Sequence, residues 1–194
     1  MTGPVPESPP SDYRILVPRD WFRVDLTQER WRGQLKTYVD KEFAGSGTSG
    51  DVPRSVWTIL RNTAENGLAR GALEFFLRTE SAEGTAIAPA SLLISWPPMP
   101  RGVAPTAEAF AEALSERRSS DRDTEVDVGV VDMPAGPTVR VRTATTLDHH
   151  VRMPGDAGYL HLAFSMPLSG TEGSMGDLCD AMAQSLRWVP GRSL

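Results

Sequence analysis

The sequence predicts an α+β fold: an antiparallel β-sheet of about six strands flanked by helices, a layered α/β/α sandwich. Three observations lead there. Several short segments alternate apolar and polar residues, the pattern of half-buried strands with one strongly covered sheet face. Neighbouring strand segments are joined by turns too short for a parallel crossover, so they pair antiparallel. Segments with helical spacing fall between the hairpins rather than after every strand, which separates the chain from a doubly wound α/β protein.

Residues 1–12 are rich in Pro and Ser, bury little, and are expected to be a disordered tail ahead of one α+β domain over 13–194. In "PRDWFRVDL", Pro18 and Asp20 shape a turn and Trp21 is expected to close the sheet's edge. Phe22, Val24 and Leu26 then face one way, with Arg23 and Asp25 opposite. Thr27 is a candidate N-cap for a helix over 28–43 with Trp31, Leu35, Tyr38, Val39 and Phe43 on its apolar stripe. "AGSGTSGD" reads as a flexible loop. Pro53 suits the first turn of a second helix ending near Gly67, with Val56, Ile59, Leu60 and Thr63 on one face.

"GALEFFLRTES" and "TAIAPASLLISW" read as a hairpin around "AEG", and Pro89 marks an edge position or a bulge. After "PPMPRGVAP", Thr106 caps a helix to about Ser119 that turns Phe110, Ala111 and Leu114 inward. Val126, Val128 and Val130 alternate in one strand and Val139 and Val141 in the next, across the turn "PAGP". "DHHVRMPGDAG" reads as a loop. Leu160, Leu162, Phe164 and Met166 define a further strand. Ser174 and Asp177 form a start signal for a last helix carrying Leu178, Ala181, Met182, Ser185 and Leu186 and ending near Trp188.

Composition narrows the function classes. A net charge of −5 over 194 residues argues against sequence-independent nucleic-acid binding, which needs a basic field. No apolar run approaches the length of a membrane span, and the N-terminus has neither the basic nor the apolar region of a secretory signal. Cys179 is the single cysteine, so no intrachain disulfide and no cysteine zinc cluster can form. These features predict a cytoplasmic protein. Lysine occurs only at Lys36 and Lys41 beside abundant Ala, Gly and Pro, which points to a high-GC bacterial gene.

Three stretches resemble the PsbP-like fold group, which includes the photosystem extrinsic subunit P, a Ran-binding nuclear import factor and related bacterial proteins of mostly unknown role. "PRDWFRVDL" resembles the group's entry strand, "VVDMPAGPTVRVR" its hairpin, and "YLHLAFSMPL…DLCDAMAQSLRWV" its final strand and helix. The helix from Pro53 to Gly67 and the lack of a lipobox are departures. The group shares no catalytic apparatus, so the resemblance implies a non-enzymatic accessory or binding role and carries over no functional residue.

Candidate chemistry is sparse. His149 and His150 follow Asp148 and are expected to be solvent-exposed; as sequence neighbours in an extended segment they point apart, and His161 on a polar strand face is the third imidazole. Asp121, Asp123, Glu125 and Asp127 lack the glycine turn and bidentate glutamate of a calcium loop and read as a solvated strand edge. Cys179 reads as a small buried apolar residue. No G-x-S-x-G elbow surrounds a serine, and "GSGTSGD" lacks the G-K-[ST] of a phosphate loop. Arg140 and Arg142 share a strand face, with Arg117, Arg118 and Arg122 nearby in sequence. They balance adjacent acids or meet an acidic partner.

The leading expectation is therefore a non-enzymatic binding protein with another protein as partner, no cofactor and no metal. Trp21, Arg140, Arg142 and His161 are its candidate interaction surface. The alternatives are a small-ligand or lipid pocket lined by Trp31, Phe75, Phe110 and Phe164, and a hydrolase or metal enzyme built on His149, His150 and His161.

Overall fold

The computed structural model describes residues 9–44, 50–81, 87–98, 104–118 and 125–191. The class is α+β, with nine strands and four α-helices among these residues. In chain order they are β1 (Pro10–Arg14), β2 (Phe22–Asp25), α1 (Trp31–Glu42), α2 (Asp51–Leu68), β3 (Ala72–Ser81), β4 (Ile87–Ser95) and α3 (Ala107–Arg118). Then follow β5 (Asp127–Met133), β6 (Gly136–Arg142), β7 (Thr146–Arg152), β8 (Tyr159–Ser165), α4 (Ser174–Gln184) and β9 (Arg187–Pro190). Seven strands form one antiparallel sheet in the order β2-β3-β4-β8-β7-β6-β5, and β1 pairs with β9 in a separate ribbon.

Both faces of the sheet are covered, because consecutive residues of β3 enter different cores. Phe75 and Leu77 pack with Leu35, Tyr38 and Leu60 of α1 and α2. Phe76 joins Leu92, Leu162 and Phe164 in a core closed by Met182 and Ala183 of α4. A third, smaller cluster sets α3 on Val139 and Val141 of β6. So α1, α2 and α3 lie on one face, and α4 with the β1–β9 ribbon on the other.

Several expectations need correction. Pro10 to Asp12, assigned to the tail, form most of β1; the chain end gains order by pairing with β9. Residues 1–8 fall outside the described set. Thr27 does not cap α1. The Asp25 carboxylate accepts from the Thr27 N–H at 3.0 Å and its hydroxyl at 2.6 Å, so 25–28 make a side-chain-closed turn and the helix starts at Trp31. The predicted stripe on α1 is right, with Trp31, Leu35, Tyr38 and Val39 buried. On α2 the buried face is Leu60, Ala64 and Gly67, and Ile59 is 63% exposed. Gly67 matters for close approach: a Cβ there would meet Leu93 Cδ2 of β4 at 2.9 Å.

The chain leaves α2 through Gly71, at φ +83°, whose carbonyl accepts from Trp96 N–H; a Cβ would lie 2.4 Å from the Trp96 carbonyl oxygen. β3 and β4 pair as predicted, although "AEG" itself lies outside the described residues. Pro89 sits neither on an edge strand nor at a bulge. It lies in a part of β4 that β8 does not reach, since that ladder begins at Ser91 and Ser165. Its missing N–H therefore costs no ladder bond. Thr106 does cap α3, accepting from the Ala109 N–H at 3.3 Å.

"DHHVRMPGDAG" is the largest revision. Asp148 to Arg152 belong to β7, which pairs with β6 and β8 along its length. The last helix starts at Ser174, yet its N-cap is Gly173 with no side-chain cap bond, and Trp188 lies in β9 rather than at the helix end. Cys179 is buried, as expected.

Candidate functional site

The alternation of β7 places its two histidines on opposite faces. His149 turns beneath α4 with Leu147 and Val151 and is 2% exposed, which overturns its predicted exposure. Its Nε2 lies 3.1 Å from the Asp180 carboxylate of α4, and its ring stands edge-on to Phe164. The Nδ1 atom is buried without a partner among the described residues. The hydrogen bond from His149 holds the Asp180 carboxyl below the ordinary carboxylate value, helped by the charges of His149, Arg140 and Arg142 and opposed by burial.

His150 turns the other way. On that face α2 packs on β3 and β4, and α3 on β5 and β6. Between them β7 and β8 present Thr146, Asp148 and His150 beside His161, Ala163 and Ser165, all partly exposed. This is a largely polar, half-solvated strip in the sheet surface. His150 and His161 are paired across the ladder, and their rings stack at 4.2 Å and 11°. His161 Nε2 lies 2.9 Å from Asp148 Oδ1. A carboxylate accepts, so His161 Nε2 is the donor of this bond. Phe110 of α3 meets His150 edge-on at 5.1 Å and Tyr159 at 4.7 Å, and the Tyr159 hydroxyl donates to the Pro105 carbonyl. Asp148 is thus fixed from β7, His161 from β8, and the wall of the strip from α3.

The four predicted interaction residues do not share a surface. Trp21 is 5% exposed and packs in the α4 core, so it offers nothing to a partner; the residue just before β2 is a core residue. Arg140 and Arg142 lie on the α4 face and are used within the fold. Arg140 stands 3.7 Å from Asp127 and 4.0 Å from Asp180, and Arg142 donates to the Thr171 carbonyl and hydroxyl. His161 alone lies on the open strip. Of the other arginines, Arg122 and the side chain of Arg118 fall outside the described set, as do Asp121 and Asp123.

The pocket expected between Trp31, Phe75, Phe110 and Phe164 is divided among three clusters on two faces, so these rings line no common space. No group of three metal-ligating side chains occurs among the described residues. Two of the three imidazoles converge, and the third is on the far side of the sheet. Sequence reasoning named His150 but placed it in a loop, and missed Asp148 as the partner of His161, because "DHH" reads as polar loop. The signal was present: Leu147, His149 and Val151 alternate with Asp148, His150 and Arg152 once a buried histidine is allowed.

No family model, curated protein or solved structure matches the chain.

Proposed function

We propose that this chain is a non-enzymatic binding protein that engages another protein through the strip around His161. The observation that carries this reading is the stacked His150–His161 pair, braced by Asp148 and partly exposed between two helical layers. Polar side chains are ordinary on a solvated stretch of an antiparallel sheet, so the ordered imidazole pair, and not the polarity, carries the reading. The strip offers imidazoles, a carboxylate and hydroxyls on a rigid backbone, a set suited to hydrogen-bonded recognition.

One observation favours a hydrolytic reading: an imidazole oriented by a carboxylate is two-thirds of a triad. The nucleophile is the missing part. No serine, threonine or cysteine among the described residues hydrogen-bonds to the His161 ring, and Cys179 is buried against Met166 on the other face. That supports binding over acyl transfer.

Affinity capture with the full chain tests the proposal. Wild-type protein is expected to retain a defined protein reproducibly, and His161→Ala, with unchanged thermal stability, to lose at least about ten-fold of it, the equivalent of one well-made charged or bidentate contact. Equal retention by wild type and variant contradicts the assignment to this strip.

A further inference from the structure

We propose that the cavity at the start of β2, on the sheet edge remote from the His161 strip, binds the phosphate monoester group of a small soluble ligand. The site arises because β3 outruns its neighbour. Phe22 pairs with Leu77, and Arg78 and Thr79 continue with no β2 partner. Leu26 N–H bonds the Leu73 carbonyl, so the two-residue alternation turns Phe75, Leu77 and then Thr79 toward the same side. The main-chain N–H of Thr79 is thereby aimed past the beginning of β2. The Pro18–Trp21 turn, closed by Trp21 N–H to the Pro18 carbonyl at 3.1 Å, carries the chain aside and leaves an opening of about 430 Å³.

The charge there runs against the rest of the molecule. Four cations, Arg19, Arg23, Lys41 and Arg78, line the cavity with two carboxylates, Asp20 and Glu42, in a chain of net charge −5. Arg23 is paired with Glu74 and Arg78 with Asp20 at 3.0 Å. Arg19 and Lys41 have no ion-pair partner among the described residues, nor has the Glu42 carboxylate, whereas the other lysine, Lys36, is bound to Asp40. Tyr38 and Thr79 share a hydrogen bond of 2.7 Å in the cavity wall. Burial pushes the Tyr38 phenol up to about 12, so it stays a neutral hydroxyl donor at neutral pH.

Beyond the two ion pairs, Arg19 and Lys41 outweigh Glu42 by one charge, and with the one O–H that the Tyr38–Thr79 bond leaves free and an outward main-chain N–H they suit an anion with several acceptor oxygens. A monocarboxylate brings two acceptor oxygens to these donors, a phosphate monoester three. The volume admits the phosphate and a short organic group against the half-buried ring of Phe22, within the usual range of small-ligand sites.

Calorimetry with the full chain decides the matter. Inorganic phosphate and glycerol 3-phosphate are the soluble probes, acetate at matched ionic strength the monoanion control, and phosphatidic-acid vesicles the membrane source of the same group. Saturable binding of both soluble phosphates is expected, with acetate about ten-fold weaker or more. Binding should weaken by about ten-fold in the Arg19→Ala/Lys41→Ala variant, whose replaced side chains are exposed. Amide shifts of Thr79 and Arg23 on phosphate addition locate the site in the unaltered protein. Absence of saturable binding by soluble phosphate, binding to vesicles alone, unchanged affinity in the double variant, or amide shifts confined elsewhere overturns the proposal.

Discussion

At the residue scale, the most informative contrast lies between two histidines adjacent in sequence. His149 meets the Asp180 carboxylate under α4, while His150 on the other face stacks on His161, which donates to Asp148. Period-two geometry alone separates them. The His149–Asp180 bond has a consequence for acid stability. The Asp180 carboxyl titrates below its ordinary value of 3.8 in the folded protein, chiefly through the hydrogen bond from His149. A group depressed on folding stabilises fully above its unfolded value and loses that contribution as pH falls through its folded one. Asp180→Asn is therefore expected to flatten the fall of unfolding free energy below about pH 4. Denaturant titrations across that range measure it. An acid limb as steep as that of the wild type would show that Asp180 gains nothing from its neighbours.

At the element scale, α3 is the part held most locally. Its apolar residues are few, and Thr106 caps its start while Phe110 rests on His150 and Tyr159. Phe110→Ala removes that rest. A half-buried ring falls below the range of about 3–5 kcal/mol for buried Phe→Ala changes, so the opening free energy of α3 should fall by about 2 kcal/mol. Hydrogen exchange is expected to speed in 107–118 and in the facing part of β6, with β3 and β4 unchanged. Uniform acceleration across the sheet would mean that α3 is not a separate opening unit. The same scale shows what was legible in the sequence. Elements with clean periodicity, such as β8 and the stripe of α1, are plain because their apolar faces are dictated by local spacing. Elements stabilised from a distance are not. β1 is ordered by β9, some 178 residues away at the Ser11 hydroxyl's bond to the Val189 carbonyl. β7 is ordered by strands on both sides despite its polar composition. The α1 start moved because the Asp25 carboxylate satisfied a turn before Thr27 was free to cap a helix. The same limit applies to the site: His161 was placed on a polar strand face from alternation alone, but its partners come from another strand and from α3.

At the scale of the whole molecule, the seven-stranded sheet is covered unequally. One face is closed by α4 and the β1–β9 ribbon over a continuous core. The other is shared between α1 with α2 at one end and α3 at the other, over separate clusters. Where that helical cover divides, β7 and β8 carry polar side chains, and the only pair of stacked imidazoles among the described residues lies there. Among the described residues no helix is long and apolar enough to cross a membrane. The account rests on this strip being both accessible and the contact surface for a partner. Carbethoxylation of the full chain, free and in complex with the protein it captures, tests both at once. His161 is expected to react in the free chain and to be protected in the complex, while His149 stays unmodified in each. Equal reaction of His161 in the free and bound chain, or reaction of His149 alongside it, would contradict the account.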